Sequence, residues 1–133
     1  MRRDPSVFIM GEDVAGGAGA PGENDAWAGC WGDQGPLSSI PGRVLDTPLS
    51  ELGYVGAAVG AATCGVRPVC ELMFVDFAGC CLDQILNQAA KFRYMFGGKA
   101  STPLVIRTMV GAGLRAAPST RRCSPRCGPT FLA

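Results

Sequence analysis

The strongest constraint on the fold is an alternation of short apolar runs with helical periodicity along most of the chain. Short apolar runs predict buried strands at residues 7–10, 43–45, 69–74 and 104–107. Helical spacing of apolar residues predicts helices at about residues 50–64 and 77–96. Strands and helices in alternation are typical of an α/β fold with a parallel sheet.

Both predicted helices have recognisable ends. Thr47-Pro48 and Ser50 are start signals for the first helix, and Gly65 is its stop signal. The second helix is predicted to end at Gly97-Gly98. Glycine and alanine fill the interior of the first helix, at positions 53, 56, 57, 60 and 61. An interior glycine costs up to ~1 kcal/mol relative to alanine, so this composition predicts close backbone packing.

The absence of histidine excludes several kinds of active site. None of the 133 residues is a histidine, so serine or cysteine triads and imidazole general bases are excluded. An enzyme built on this chain must use carboxylates or a cofactor. The seven cysteines are predicted to be reduced thiols. A redox or zinc-binding module remains an alternative, although Cys123 and Cys127 have no second pair at zinc-ligand spacing.

Charge and hydropathy exclude other classes of protein. The net charge of +1 argues against a dedicated nucleic-acid or membrane-surface binder. The apolar fraction of 47% argues against intrinsic disorder. The apolar run before Gly11 is shorter than a signal peptide requires, and no run approaches the ~20 residues of a membrane span. These features predict a cytoplasmic protein without a membrane segment.

Several motifs together resemble a known family. They are DTPLSE at residues 46–51, then GYVGAAVGAA, GVRPVCE and DQILNQAAKFRYMFGG, together with the loop GEDVAGGAGAPGENDAW at residues 11–27. The chain resembles the β subunits of thiamine-diphosphate-dependent 2-oxo acid dehydrogenases, in particular the acetoin dehydrogenase branch. The resemblance covers residues 1–27 and 42–117. It implies that residues 1–117 form part of a transketolase-like pyrimidine-binding domain.

The resemblance assigns roles to two residues. Glu51 matches the family's glutamate in the motif DTP-x-SE, which implies that its carboxyl group holds a ring nitrogen of the cofactor's aminopyrimidine. Phe77 matches the aromatic residue that packs on that ring, although Phe74 lies nearby with similar character. Without the resemblance, Glu51 would be a carboxylate that interacts favourably with the helix dipole, and Phe77 would be a core residue.

The resemblance also implies a cofactor and partners. It implies thiamine diphosphate, with magnesium held mainly by an α subunit in an α2β2 heterotetramer. The acyl product would pass to a lipoyl group on an acyltransferase core. Acetoin, pyruvate and branched-chain 2-oxo acids remain open as substrates. The alternative is a non-catalytic, pseudogene-like fragment, and in either case the chain alone is expected to be inactive.

Two segments depart from the family pattern, at residues 28–40 and 118–133. If the reading frame of the second segment is moved by one base, permitted codons spell QHSQMLTSLWTHIPG, which continues the family sequence. The first segment recovers family-like residues through two shifted frames. We therefore interpret both segments as out-of-frame translation. The family's active-site histidine would lie in the lost QHSQ, and the family has a further helix, further strands and a second domain.

Overall fold

A computed structural model describes residues 1–14 and 42–109 of the chain. Its four strands form one sheet in which every pairing is parallel. The strands are β1 (Val7–Gly11), β2 (Val44–Asp46), β3 (Arg67–Phe74) and β4 (Val105–Met109). The bounds of each strand differ from the predicted bounds by at most two residues. The predicted parallel α/β architecture is therefore confirmed.

The order of the strands places β1 inside the sheet. The order is β2-β1-β3-β4, so β1 pairs with β2 on one side and with β3 on the other. Ile9 is the partner of Val44, and Val7 is the partner of Arg67. The chain therefore reverses its direction of progress across the sheet at β1. Such a switch point opens a crevice at the carboxyl ends of the strands.

Helix α1 (Glu51–Thr63) connects β2 to β3 and has nearly the predicted bounds. Ser50 occupies the N-cap position, but its side chain makes no capping hydrogen bond. At the other end, the Cys64 amide donates to the carbonyl of Ala61 at 3.0 Å. Gly65 then adopts a φ of +95°, in the left-handed region that favours glycine. The predicted stop signal works through this backbone conformation.

The second helical segment is less regular than predicted. It begins as a 3₁₀ helix (Val75–Cys81), widens into a π-helical turn (Gln84–Ala89) and closes with the short helix α2 (Phe92–Met95). The prediction of a single α-helix over residues 77–96 was therefore wrong. The hydroxyl of Thr102 donates to the Ala89 carbonyl at 3.0 Å, so this carbonyl is bonded from outside the helix at the end of the π turn. Gly97 and Gly98 have positive φ and end the segment as predicted.

The core lies between α1 and one face of the sheet. Its side chains come from α1, the strands, the segment before β4 and the 3₁₀ helix: Met10, Tyr54, Val55, Ala58, Val59, Ala62, Cys70, Leu72, Cys81 and Leu104. Leu82, in the second helical segment, is 47% exposed and lies outside this core. A methyl group on Gly56 would meet the Gln84 side-chain oxygen at 3.1 Å, whereas Gly60 faces open space. Close packing therefore occurs at Gly56 but not at Gly60.

Four cysteines fall within the described residues, and all four are free thiols. Cys70 and Cys81 are buried, whereas Cys64 and Cys80 are exposed. Among residues 1–14 and 42–109, no helix has the length and apolar character needed to cross a bilayer. The two segments that we interpret as out of frame, together with Cys123 and Cys127, lie outside the described residues.

Candidate functional site at the carboxyl edge of the sheet

The carboxyl edge of the sheet brings together residues that are distant in sequence. Glu12 follows β1, Thr47 follows β2, and Asp76 follows β3. Glu51 begins α1 close to the same edge, because only four residues separate it from β2. The Thr47 amide donates to the Gly11 carbonyl at 3.0 Å, which ties the ends of β1 and β2 together. This edge is where an open α/β sheet offers a ligand site.

Four buried polar atoms near this edge have no hydrogen-bond partner within the described chain. They are the Oε1 atom of Glu12, the Oγ1 atom of Thr47, the hydroxyl oxygen of Tyr54 and the Oδ2 atom of Asp76. A buried polar atom without a partner costs about 1–3 kcal/mol. Four such atoms near one edge of a sheet are typical of a site that receives a polar ligand.

Glu51 occupies the first position of α1 and is half-buried. A carboxylate at the amino end of a helix interacts favourably with the helix dipole. Its charge also acts on Glu12, Tyr54 and Cys81, which come from three other positions around the site. The structure therefore places this predicted site residue within an acidic, poorly solvated surrounding. Its contact with a cofactor stays a prediction.

Sequence reasoning missed Glu12, which the fold brings into electrostatic range of Glu51. Glu12 is 6% exposed. Its pKa is raised above the ordinary value, first by burial, then by the charges of Glu51 and Asp13. The available signal was a carboxylate immediately after a buried strand, in the motif Gly11-Glu12-Asp13. That signal needed the strand order before it could be linked to Glu51.

Phe74 and Phe77 occupy different environments. Phe74 is 6% exposed and belongs to the interior. Phe77 is half-buried at the start of the segment that follows β3, and the two rings meet edge to face with centroids 5.9 Å apart. The thiol of Cys81 donates to the Phe77 carbonyl at 3.8 Å, within the same 3₁₀ helix. Phe77 is therefore the more accessible of the two rings, but its packing on a pyrimidine stays a prediction.

A second buried carboxyl group, Glu71, lies on β3 beside β1. It is 3% exposed, and its partner residues in the flanking strands are Gly11 and Arg107. Burial raises the pKa of Glu71 to about 8, against the opposing influence of Arg107. Gly11 directly precedes Glu12, so Glu71 supports the backbone that leads into the site.

The described residues contain no group of three or more cysteine, aspartate or glutamate side chains arranged to hold a metal ion. The expectation that magnesium is held by another subunit is not tested by this observation.

A family model describing the transketolase pyrimidine-binding domain matches residues 1–120. The chain belongs to this family. The match agrees with the parallel α/β sheet and accounts for nine-tenths of the 133 residues. As a pyrimidine-binding domain, the chain has its candidate site at the switch point of the sheet.

The chain is also similar to individual proteins whose activities are named. The chain is 68% identical over 118 residues to the β subunit of acetoin:2,6-dichlorophenolindophenol oxidoreductase from Cupriavidus necator, covering 88% of this chain and 35% of the relative. It is 56% identical over 121 residues to the corresponding Bacillus subtilis subunit, with the same coverage. It is 42% identical over 123 residues to the bovine mitochondrial pyruvate dehydrogenase E1 β subunit, covering 92% and 32%. The chain thus spans about a third of the length of these relatives.

Proposed function

We propose that the chain supplies the pyrimidine side of a thiamine diphosphate site in an acetoin- or pyruvate-type dehydrogenase β subunit. The observation that carries the proposal is that Glu12 lies within electrostatic range of Glu51 at the carboxyl edge of the sheet, with Phe77 in the segment that follows β3. The family description and the names of the relatives support it.

The residues present fit an aminopyrimidine ring. The ring carries hydrogen-bonding nitrogens on its rim and an apolar face. Unpartnered buried oxygens of Glu12, Thr47 and Tyr54 suit such a rim, and the half-buried ring of Phe77 suits the face. When bound, thiamine diphosphate supplies a thiazolium carbon that, once deprotonated, attacks a carbonyl group and permits carbon–carbon cleavage.

Glu51 holds a proton at the ring nitrogen in this proposal. Its carboxyl group is half-buried at the start of α1, close to the carboxyl edge of the sheet, and it lies within electrostatic range of Glu12. Phe77 orients the ring and excludes water from one of its faces. Neither role requires a histidine from the described part of the chain.

The remaining parts of the enzyme lie on partners in this proposal. An α subunit in an α2β2 assembly holds the diphosphate and magnesium, and an acyltransferase core accepts the acyl group on a lipoyl arm. Exposed apolar side chains on and beside α1 and α2 suit such an assembly, with Leu49 84% and Tyr94 90% exposed. Residues 1–117 form the partial domain, within which residues 28–40 are out of frame, and residues 118–133 form an out-of-frame tail. The proposed location is the cytoplasm.

Co-production with an acetoin dehydrogenase α subunit tests the function. We expect thiamine-dependent oxidation of acetoin or pyruvate only with the partner present. Glu51→Gln should lower kcat by about 10²–10⁴-fold, since the ring nitrogen loses its acid. Asp4→Asn is the matched control, because Asp4 precedes β1 at the opposite edge of the sheet. Equal activities of the two variants would contradict the role of Glu51.

The alternative is a non-catalytic fragment. It is favoured by one observation, namely that the chain spans only 35% of the acetoin-type relatives. Under this alternative, the chain can still pair with an α subunit, but the complex shows no thiamine-dependent activity. Restoring the reading frame in residues 28–40 and 118–133 would then recover activity in a longer chain.

A further inference from the structure

Strand β2, which leads into Glu51, has little buried side-chain area to fix its position. It has three residues, of which Val44 is half-buried and the other two, Leu45 and Asp46, are exposed. Among the described strands it pairs on one side, with β1. The register of a strand is specified strongly only where one of its faces is buried. An interaction other than burial therefore holds β2 beside β1.

Arg43, the residue immediately before β2, makes three hydrogen bonds through one side-chain nitrogen. Its Nη1 atom donates to the carbonyl oxygens of Met1, Asp4 and Val7, at 2.9, 3.0 and 3.2 Å. Two hydrogens serve three acceptors, so one hydrogen is shared. Hydrogen bonds from a charged donor are roughly twice as strong as those between neutral groups. These bonds fix the start of β2 against residues that lie between 36 and 42 positions earlier in the chain.

The carbonyl groups that accept these bonds belong to a segment that is itself anchored on the sheet. The Ser6 amide donates to the Asp4 carboxylate at 2.9 Å, and the Val7 amide donates to the Asp4 carbonyl at 3.4 Å. The amide of Arg67, the first residue of β3, donates to the Ser6 carbonyl at 2.9 Å. The contacts therefore run without a break from β3, through this segment, to the Arg43 side chain.

The register of β2 determines where Glu51 lies. At one end of the strand the Arg43 carbonyl accepts from the Ile9 amide at 2.8 Å, and at the other end the Thr47 amide donates to the Gly11 carbonyl at 3.0 Å. Four residues then lead to Glu51. A slip of β2 by one residue would break both bonds and move this connection by about 3.3 Å. A misplacement of about 1 Å at a reacting centre can lower a rate by about 10²-fold.

We propose that Arg43 is a positioning residue, whose guanidinium group sets the register of β2 on β1 and thereby places the Glu51 carboxyl group at the cofactor site. The inference rests on the proposed function, in which Glu51 meets the aminopyrimidine ring. Arg43 precedes β2 and so lies at the amino edge of the sheet, opposite the candidate site. It therefore acts on Glu51 through the backbone of β2.

Hydrogen exchange in the co-produced complex tests the register directly. Arg43→Met removes the donor and keeps an apolar side chain of similar length. We expect faster exchange of the Ile9 and Thr47 amides, which bond between β1 and β2, and unchanged exchange across β3. Arg67→Met is the matched control, because Arg67 lies at the same edge and its side chain, 63% exposed, forms an ion pair with Asp4 at 3.9 Å. Native exchange of both amides in Arg43→Met, or equal increases in the two variants, overturns the proposal.

Kinetics of the same complex test the link to Glu51. We expect Arg43→Met to lower kcat about ten- to a hundred-fold, with KM for the substrate unchanged, and Arg67→Met to keep the native kcat. In a Glu51→Gln background, Arg43→Met should lower kcat no further, because both changes disable the same carboxyl group. A role in global stability would instead lower kcat by the same factor in both backgrounds. That result, or a native kcat in Arg43→Met, overturns the positioning role.

These outcomes are separable from failure of the proposed function. If the native complex has no thiamine-dependent activity, or if Glu51→Gln keeps the native kcat, the proposed function falls and takes the positioning role with it. If the native complex is active and depends on Glu51, but the exchange or the kinetics of Arg43→Met give the contrary result, the role of Arg43 alone is wrong.

Discussion

A methyl group on Gly11 would lie 2.6 Å from the Cβ atom of Glu71 and 2.7 Å from the Glu71 carbonyl oxygen, so only glycine fits at this position. The contact joins the last residue of β1 to the middle of β3. It also fixes the backbone immediately before Glu12. Close packing between two strands and the geometry of the candidate site therefore depend on the same pair of residues.

Gly11→Ala is expected to destabilise the chain by about 1–3 kcal/mol, because the added methyl group forces β1 and β3 apart. Chemical denaturation measures the change. Gly60→Ala is the matched control, since Gly60 lies in α1 with no other atom within 4 Å of the added carbon. Alanine has the higher helix propensity, so this variant should stabilise the chain by up to ~1 kcal/mol. Destabilisation of both variants to the same extent would contradict the contact.

Glu71 gives the folded chain a pH dependence. Its pKa is raised from the ordinary 4.5 to about 8, so the folded state binds this proton more tightly than the unfolded state. The stabilising contribution is complete below about pH 4.5 and is lost as the pH rises towards 8, with a slope of up to about 1.4 kcal/mol per pH unit. Glu71→Gln should remove this slope from denaturation measured across the window. An unchanged slope would assign it to another group.

Phe77→Ala is expected to weaken thiamine diphosphate binding by the co-produced complex about five- to ten-fold, as loss of one aromatic contact of about 1 kcal/mol implies. Phe96→Ala is the control, because Phe96 is 56% exposed on the segment after α2. Cofactor titration by calorimetry separates the two variants. A comparable loss of cofactor affinity in both variants would show that Phe77 acts only through packing.

Thr102→Val tests what shapes the irregular helical segment. The hydroxyl of Thr102 donates to the Ala89 carbonyl, and its removal should cost about 1 kcal/mol. Thr63→Val removes a similar bond, to the Gly60 carbonyl at an exposed position, and should cost less. Hydrogen exchange across residues 84–95 should rise in the first variant alone. Unchanged exchange there would mean that the π turn is stable without Thr102.

Local signals predicted the parts of the fold that depend on local structure. Helix α1 lies within one residue of its predicted ends because Ser50 and Gly65 act through their own backbone conformations. The π turn escaped prediction, since no local pattern shows the hydrogen bond that Thr102 donates to Ala89 from 13 residues away. Glu12 was missed for a similar reason. Its proximity to Glu51 follows from the pairing of Gly11 with Asp46, which no local pattern specifies.

The position of β1 inside the sheet has a consequence for biosynthesis. Of the four described strands β1 is synthesised first, yet Val7 pairs with Arg67, which is synthesised 60 residues later. Until then the described residues offer β1 one neighbour, the three-residue strand β2. A nascent strand that waits this long exposes its amide groups to other chains. Chaperone capture during translation should therefore centre on the first dozen residues and cease once β3 has emerged.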